Sequence, residues 1–250
     1  MIQRMDLSAN TVLITGGASG IGLALAERFL RAGSEVIICG RREEKLREAQ
    51  DAHPGMKSRV CDLVRDEERR ALFEWAVGEH PGLNVLVNNA GIQRYLDLAQ
   101  PEEWERSREE IAINLEAPLH LAALFIPHLL QQQRPAIVNV TSGLAFVPMA
   151  RAPIYSATKA ALHSFTLSLR HQLADTPVEV IEIVPPAVNT DLGGPGLHTF
   201  GVPVDEFADV VFARLEAGDL EIPYGFAAQS SRASRGELDA IFQRMNQSAR

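Results

Sequence analysis

Short runs of aliphatic and β-branched residues recur along the chain, and segments with helical spacing separate them. The runs are TVLIT (11–15), EVIIC (35–39), SRVCD (58–62), NVLVN (84–88), AIVNVT (136–141), VEVIEIV (178–184) and LEIP (220–223). Most are continuously apolar rather than alternating, so both faces of each strand must be covered. Strands that alternate with helices predict parallel βαβ units. We therefore expect an α/β fold: a doubly wound, mostly parallel sheet of about seven strands flanked by helices.

Apolar residues at helical spacing predict the intervening helices. The first helix, 22–32, would pack inward through Leu23, Ala26, Phe29 and Leu30. Gly33 follows it as a candidate left-handed residue at the helix end. Further helical segments are 66–77, 102–130 and 204–217, the last ending before Gly218. Ser234 and Glu237 form a candidate capping box before a final helix.

No linker, internal repeat or low-complexity tract divides the 250 residues, so we expect a single domain over 1–250. One irregular stretch, 185–203, is rich in Pro and Gly. Loops of this length inside a compact domain are usually functional lids or disordered connectors. Residues 226–250 would form a C-terminal extension.

Charge and cysteine content exclude several classes of protein. A net charge of −8 disfavours a large basic surface for nucleic acid or anionic lipid. No N-terminal apolar run suits a signal peptide or a membrane span. Cys39 and Cys61 are too few for a disulfide framework and are interpreted as small buried residues in a reducing cytoplasm. The histidines lack metal-ligand spacing, so no metal is expected.

A glycine-rich loop, TGGASGIG (15–22), directly follows the first strand and opens the first helix. Such glycines allow a sharp turn, close approach of a pyrophosphate and tight packing of the helix on the sheet. The helix N–H groups would then point at the phosphates. A tight turn without a ligand is the alternative, since GxxxGxG differs from the commoner GxGxxG. The strand–loop–helix context favours a Rossmann-type dinucleotide site, with contacts from Gly16, Ser19, Gly20, Ile21 and Gly22.

The end of the second strand indicates which coenzyme is preferred. An acidic residue there would bind the ribose hydroxyls of NAD. In this chain Gly40 holds that position, and Arg41 and Arg42 follow. A 2′-phosphate would meet positive charge and a bidentate donor, which favours NADP(H) over NAD(H), with Arg41 as the binding residue. Alternatively, the two arginines begin a solvated helix with Glu43 and Glu44 as partners.

Taken together, the motifs resemble those of a classical short-chain dehydrogenase/reductase. They occur in the order TGGASGIG, CDL (61–63), NNAG (88–91), Asn114, Ser142 and YSATK (155–159). The resemblance runs from about Asn10 to Pro223, and the segment from Gly225 onward resembles that of DltE-like bacterial oxidoreductases. It implies an NADP-dependent enzyme that interconverts a carbonyl and an alcohol on a small molecule, as a homodimer or a homotetramer.

The resemblance also implies residue roles. Tyr155 would be the general acid/base, and Lys159 its electrostatic helper and ribose ligand. Ser142 would donate to the substrate oxygen, and Asn114 would anchor a water that leads protons to Lys159. Further cofactor contacts would come from Asp62, Leu63, Asn89, Ala90, Gly91, Val188 and Thr190. Simpler readings are a turn at Asp62, a cap or helix break at Asn114 and a non-catalytic serine at Ser142.

Physical chemistry makes the Tyr-x-x-x-Lys spacing sensible for catalysis. Positions 155 and 159 lie one turn apart on one helix face, so an ammonium group would lie near the phenol. A tyrosine has a pKa near ~10 and must be lowered by several units to act near neutral pH. We expect Lys159, together with the charge of an oxidised nicotinamide, to lower the pKa of Tyr155. Ser142 would lie at the carboxyl edge of the sheet, where open α/β folds bind ligands.

The chain departs from the family pattern after the sixth strand, where Pro185 and Pro186 replace the usual Pro-Gly. Pro186 lacks an N–H and has a fixed φ, which changes the backbone leading to Val188 and Thr190. The resemblance implies a substrate loop at 185–203, with lid residues Leu192, Leu197, His198 and Phe200. Other pocket candidates, which could equally be surface or core, are Arg94, Tyr95, Phe146 and Met149.

Two other functions share parts of this pattern. A cofactor-binding regulator would keep the fold without turnover, and the complete catalytic set disfavours it. A nucleotide-sugar epimerase would also carry Tyr-x-x-x-Lys, but the GxxxGxG loop disfavours it.

Overall fold

The structure is a computed structural model that describes residues 7–101 and 104–247. Its strands are β1 (Thr11–Thr15), β2 (Glu35–Gly40), β3 (Lys57–Val60), β4 (Val85–Asn88), β5 (Ala136–Val140), β6 (Glu179–Val184) and β7 (Glu221–Pro223). The α-helices within these residues are α1 (Gly20–Arg31), α2 (Glu43–Ala52), α3 (Asp66–Glu79), α4 (Trp104–Ile111), α5 (Ala117–Leu129), α6 (Pro153–Gln172), α7 (Val204–Ala217), α8 (Phe226–Ser230) and α9 (Arg235–Met245). A π-helical turn, Ala112–Glu116, joins α4 to α5, and a 3₁₀ turn, Gly143–Ala145, follows β5.

The described residues form a seven-stranded sheet in the order β3-β2-β1-β4-β5-β6-β7. Every pairing is parallel, with Val12 of β1 opposite Val36 on one side and Val85 on the other. The strand order reverses between β1 and β4, which opens a crevice at the carboxyl ends of these two strands. The predicted doubly wound α/β fold is therefore confirmed, and the sheet is entirely parallel.

Alternate side chains of the strands enter two separate cores, one on each face of the sheet. On one face, Val12 and Ile14 of β1 pack with α1 and α7. On the other face, Leu13 of β1 packs with α3, α5 and α6. Fully burying a large aliphatic or aromatic side chain contributes roughly 1.5–3 kcal/mol. The two helical layers thus explain why most of the strands carry apolar residues on both faces.

Helix ends agree closely with the sequence prediction where a glycine or a cap marks them. Gly33 and Gly218 have φ of +92° and +83°, so each follows its helix in the left-handed region. Ser234 forms the predicted capping box: its backbone N–H donates to the Glu237 carboxylate at 2.7 Å, and its side chain accepts from the Glu237 N–H. The predicted helix 102–130 proved to be two helices joined by the π-turn, and 102–103 lie outside the described residues.

The helical run Trp104–Leu129 is long and apolar enough to cross a membrane by length and composition alone. In the fold, Leu121, Phe125 and Leu129 of α5 are buried in the core beside α3. Packing against the sheet accounts for the apolar character of this run.

Two glycines provide a matched test of the helix ends. A Cβ would meet no atom at either Gly33, at positive φ, or Gly78, within α3. Gly33→Ala should lower the unfolding free energy by about 1–2 kcal/mol, because L-residues are strained in the left-handed region. Gly78→Ala should raise it by about 0.5–1 kcal/mol, because alanine favours the helix. Urea unfolding of both variants measures this, and a stabilising Gly33→Ala would contradict the left-handed end of α1.

Candidate active site

A cavity of about 1410 Å³ runs along the carboxyl ends of the strands, at the place where the strand order reverses. Most of the predicted cofactor-binding and catalytic residues line it: Gly16, Ser19, Gly20, Ile21, Arg41, Asp62, Leu63, Asn89, Ala90, Gly91, Ser142, Tyr155, Lys159, Val188 and Thr190. Gly22 and Asn114 are buried beside it. The fold thus brings together residues that are far apart in the sequence.

The glycine loop requires glycine for two different reasons. Gly16 and Gly20 have φ of +64° and +54°, which side chains disfavour. A Cβ on Gly22 would lie 2.4 Å from Asn89 Nδ2 and 2.5 Å from Gly16 O, so close packing excludes any side chain there. Ser19 precedes α1 without forming a side-chain cap. The N–H groups of the first turn therefore remain available to an anion.

A small hydrogen-bond cluster ties this loop to the end of β4. The Thr15 hydroxyl accepts from the Asn89 and Ala90 N–H groups, each at 3.0 Å. Asn89 Nδ2 donates to Thr15 O at 2.9 Å and to Gly16 O at 3.3 Å. Asn89 and Ala90 line the cavity, as the resemblance implied, and they also fix the shape of the glycine loop.

The two arginines after β2 have different partners. Arg41 Nη1 forms an ion pair with Glu109 Oε1 at 2.5 Å, and Arg94 bonds the other oxygen of the same carboxylate. Partial burial raises the pKa of Glu109, but the hydrogen bonds from Arg94 and Arg41 outweigh it and leave this pKa below its usual value. Arg42 Nη2 donates to the Ser19 hydroxyl at 3.1 Å, directly beside the glycine loop.

The alternative pairing of these arginines with the first turn of α2 is not what the structure shows. Glu43 bonds Arg47 at 3.4 Å. Lys45, which also lines the cavity, bonds Glu48 at 2.6 Å. Arg41 and Arg42 are therefore directed to the cavity rather than to their own helix.

Asp62 and Leu63 occupy the rim of the cavity next to β3. Asp62 Oδ1 accepts from the Val64 N–H at 3.2 Å, and the Asp62 N–H donates to Glu68 Oε2 at 2.6 Å. The simpler reading of Asp62 as a turn residue is thus present in the geometry, although the residue also lines the cavity. Leu63 is buried in the core beneath it.

Ser142, Tyr155 and Lys159 meet at the carboxyl edge of β5. Tyr155 and Lys159 lie one turn apart on α6, and both are buried. Lys159 Nζ donates to Val140 O at 2.8 Å and lies 5.7 Å from the centroid of the Tyr155 ring. Ser142 lies two residues beyond β5, and its hydroxyl, which accepts from the Leu144 N–H at 3.1 Å, is close enough to Tyr155 to lower the pKa of that phenol. Two hydroxyls and an amine thus share one end of the cavity.

Asn114 lies in the π-turn and is fully buried. Its Oδ1 accepts from the Ile92 N–H, and its Nδ2 donates to Ile92 O, both at 2.8 Å. A Cβ on Gly91 would lie 3.4 Å from Asn114 Oδ1 and 3.6 Å from Lys159 Nζ, which places these three residues together. Asn114 therefore holds the segment after β4 rather than capping a helix, and π-turns of this kind often mark functional sites.

Burial controls the ionisation of Tyr155 and Lys159. It raises the pKa of Tyr155 to about 12; the hydrogen bond from Ser142 opposes this rise, and the charge of Glu110 adds to it. Burial also lowers the pKa of Lys159 to about 8. The lowering of the Tyr155 pKa that was expected from Lys159 is not found in the chain by itself, because burial of the phenol raises this pKa instead.

A row of polar residues that the sequence analysis did not single out crosses the sheet below this site. Asn88, Asn139, Glu182 and Glu221 are opposite one another in β4, β5, β6 and β7. Asn139 Nδ2 donates to Thr166 of α6 at 2.9 Å. Glu182 is fully buried and bonds Thr141 and His163. In the sequence, the glutamate inside the apolar run VEVIEIV is the feature that could have indicated this row of buried polar residues.

The far end of the cavity is enclosed by chain segments that are distant in sequence. The expected residues Tyr95, Met149, Leu192, Leu197, His198 and Phe200 line it. So do Gln93, Leu144, Arg151, Phe226 and Met245, which sequence reasoning missed. Arg94 and Phe146 do not line it, since Arg94 bonds Glu109 and Phe146 packs on the His163 ring at 4.7 Å. No local pattern marks Phe226 or Met245 as pocket residues.

Three contacts hold these covering segments in place. The loop 185–203 is closed at its base by the pairing of Val188 with Val202. Within it, Thr190 packs on the glycine loop, where a Cβ on Gly20 would lie 3.3 Å from Thr190 Cγ2. At the end of α9, Asn246 Oδ1 accepts from the Ala150 N–H at 2.7 Å. The cavity is therefore covered from both the loop and the C-terminal side.

Comparison with known proteins agrees with this geometry. The family model for short chain dehydrogenase matches residues 10–197, and the chain belongs to the short-chain dehydrogenase/reductase family. It is 50% identical to the uncharacterized oxidoreductase DltE of Bacillus subtilis (strain 168), over 97% of this chain and 98% of that protein. The expected similarity to DltE-like oxidoreductases is confirmed and includes the C-terminal segment.

Solved structures show the same fold with either coenzyme. A short chain dehydrogenase from Burkholderia cenocepacia in complex with NADP is 29% identical, with a TM-score of 0.82, over 95% of this chain and 99% of that chain. A family member from Burkholderia phymatum in complex with NAD is 21% identical and shares the fold, with a TM-score of 0.79 over 87% of this chain and 89% of that chain. The protein is thus an oxidoreductase of a family that uses nicotinamide cofactors and small-molecule substrates.

The contact of His163 with Glu182 should make stability depend on pH. The hydrogen bond that His163 donates to Glu182 raises the pKa of His163 above 6.5; burial opposes this rise, the charges of Glu182 and Glu221 add to it, and the charge of Arg170 counters it. Because the pKa of His163 is raised in the folded state, its contact with Glu182 stabilises the fold fully below about pH 6.5. This stabilisation is lost as the pH rises through the folded-state pKa of His163. The difference in unfolding free energy between wild type and His163→Gln should therefore shrink with rising pH.

Urea unfolding at pH values below and above about 6.5 measures this difference in unfolding free energy between wild type and His163→Gln. His171→Gln is the control, because His171 is exposed on the same helix. A wild-type advantage over His163→Gln that grows with pH would contradict the assignment.

Proposed function

We propose that this protein is an NADP(H)-dependent oxidoreductase that interconverts a carbonyl and an alcohol on a small molecule, with Tyr155 as general acid/base. The observation that carries the proposal is the meeting of Ser142, Tyr155 and Lys159 at the carboxyl edge of β5, in the same cavity as the glycine loop. When bound, the nicotinamide supplies or accepts the hydride.

The residues present fit such a cofactor. At Gly16 a Cβ would lie 2.9 Å from Ala90 Cα, so only glycine lets the loop turn this close to the end of β4, in the shape that a pyrophosphate site needs. The uncapped first turn of α1 lies beside it. We assign phosphate binding to Gly16, Ser19, Gly20 and Ile21, with Gly22 packing the helix. We assign the adenosine contacts to Asp62, Leu63, Asn89, Ala90 and Gly91. We assign the contacts near the nicotinamide to Lys159, Val188 and Thr190.

The ionisation of the site suits carbonyl reduction. With a pKa of about 12, Tyr155 carries its proton at neutral pH and can donate it to a developing alkoxide. The Ser142 hydroxyl donates to the same oxygen and stabilises the charge that develops there. Lys159, with a pKa of about 8, is mostly protonated at neutral pH and returns a proton toward Tyr155, while Asn114 holds Gly91 and Ile92 beside it.

The walls of the cavity favour an apolar carbonyl compound of medium size. Above Ser142 and Tyr155 the lining is mainly apolar and comprises Leu144, Met149, Leu192, Leu197, Phe200, Phe226 and Met245. We assign the loop 185–203 as the substrate loop and the described part of the C-terminal extension, 226–247, as the opposite wall. Such apolar pockets with a few polar groups are typical of small-molecule sites.

The adenosine end of the cavity favours NADP(H). Among the described residues Arg42 has no carboxylate partner, and it already lies on the Ser19 hydroxyl of the glycine loop. Arg41 carries a second guanidinium into the cavity, although Glu109 competes for it. A 2′-phosphate would take hydrogen bonds from Arg42 and draw Arg41 from Glu109.

We also propose that each chain forms a single domain. The protein would work in the cytoplasm as a homodimer or a homotetramer. The family resemblance supports the assembly, since such enzymes commonly form dimers or tetramers. Cys39 and Cys61 are free buried thiols, which suits a reducing compartment.

Tyr155→Phe tests catalysis. Removing the general acid should lower turnover by about 10²–10⁴-fold with any reducible carbonyl, because the proton no longer has a donor. NADPH absorbance with a panel of aldehydes and ketones measures turnover, and NADPH fluorescence measures binding, which should be retained. NADPH binding by wild type without turnover on the whole panel would favour the non-catalytic regulator instead.

Substitutions at the adenosine end test the coenzyme preference. Arg42→Ala should weaken NADPH binding by about 10- to 100-fold and leave NADH unchanged, because a charge-assisted bond contributes about 1.5–3 kcal/mol. Glu109→Gln should tighten NADPH binding by freeing Arg41.

Coenzyme dissociation constants from fluorescence titration provide the comparison. Arg47→Ala is the matched control, since Arg47 lies on α2 but pairs with Glu43 outside the cavity. Equal weakening of both coenzymes by Arg42→Ala would overturn the 2′-phosphate assignment.

A further inference from the structure

Glu182 is a carboxylate placed where the fold otherwise has apolar side chains. It is fully buried in the middle of β6, between Ile181 and Ile183. An isolated charge in such a position is strongly unfavourable, so its partners must satisfy it. Thr141 Oγ1 donates to Glu182 Oε1 at 2.6 Å, and His163 Nδ1 lies 2.9 Å from both carboxylate oxygens. Thr141 lies in the segment after β5 that carries Ser142, and His163 lies on α6, which carries Tyr155.

The first partner, Thr141, directly precedes Ser142. Its N–H donates to Ile183 O at 2.9 Å while its hydroxyl donates to Glu182, so both its backbone and its side chain are held by β6. Beyond it, the Gly143 N–H donates to Pro185 O at 2.9 Å. The path of the chain at Ser142 is therefore set between two anchored residues.

The second partner, His163, lies one turn beyond Lys159 on α6. The same carboxylate thus connects the end of β5 with the helix that carries Tyr155. A neutral hydrogen bond, from Asn139 to Thr166, already joins β5 to α6 farther from the site. The link through Glu182 lies nearer the reactive groups, because Thr141 adjoins Ser142 and His163 lies one turn from Lys159.

We propose that Glu182 is a positioning residue for the reaction proposed above: it holds Thr141, and through it Ser142, in the correct orientation toward Tyr155. This role rests on the proposed function. Glu182 does not touch the cavity, so it acts through Thr141 rather than on a substrate.

Substitutions that keep shape test the role. With NADPH and 4-nitrobenzaldehyde as the carbonyl probe, Glu182→Gln and Thr141→Val should each lower kcat by about 10- to 100-fold, the range expected for a misplaced catalytic group. The KM for NADPH should change little. Thr141→Ser keeps the hydroxyl and should restore kcat. A kcat close to wild type in both Glu182→Gln and Thr141→Val would overturn the proposal.

Thr166→Val is the matched control. It removes an equally buried hydrogen bond between α6 and the sheet without touching Thr141. It should lower the melting temperature and leave kcat near wild type. A loss of kcat as large as that of Glu182→Gln would mean that any weakening of α6 suffices, and the specific role would fail.

A double-mutant cycle tests whether Glu182 acts through Ser142. Effects of residues in one network are non-additive. In the Ser142→Ala background, Glu182→Gln should therefore cost little further kcat. A full additional loss would overturn the proposed route.

Hydrogen exchange separates this proposal from the proposed function. Glu182→Gln should speed amide exchange at Gly143, Leu144 and Ala145, and Thr166→Val should not. If wild type proves inactive on the whole carbonyl panel while exchange responds as described, the proposed function fails and the link from Glu182 to Ser142 stands. Unchanged exchange in Glu182→Gln overturns the link whatever the activity.

Discussion

The parallel pairing of β1 with β4 is the constraint on which the rest of the molecule depends. The strand order reverses there, so the chain leaves the two strands in opposite directions and opens a crevice between them. Thr15 and Asn89 bridge the crevice with hydrogen bonds to the backbone. These bonds shape the glycine loop at one side of the cavity and place Gly91 beside Asn114 and Lys159 on the other.

Burial is the second organising feature, because the polar groups at the catalytic end of the cavity, Asn114, Ser142, Tyr155 and Lys159, lie out of water. Such groups must bond one another, and each bond also fixes a position. Lys159 bonds Val140, Asn114 bonds Ile92, and Glu182 bonds Thr141 and His163. The same burial raises the pKa of Tyr155 and lowers that of Lys159. A site built this way is preorganised, which favours charge stabilisation during reaction.

The local sequence pattern predicted strands and helix ends correctly, because these features depend mainly on residues that are neighbours in the chain. All seven apolar runs became strands, and Gly33, Gly218 and the Ser234 box marked helix ends correctly. It failed where long-range packing decides. The split of 102–130 by a π-turn and the short helix α8 carry no periodic signal. The lowered pKa expected for Tyr155 considered its spacing to Lys159 but not the burial of both groups.

Motif spacing places the glycine loop and Ser142 at one sheet edge and puts Tyr155 and Lys159 on one helix face, because strand ends and helical turns follow from short-range geometry; the family resemblance brought the two groups together. The partners of each group required the folded chain. Nothing near Arg41 in sequence indicates Glu109, and nothing near Glu182 indicates Thr141 or His163. Likewise, Met245 reaches the cavity wall from the last helix. Such contacts join residues tens of positions apart, and they arise only when the helices pack on the sheet.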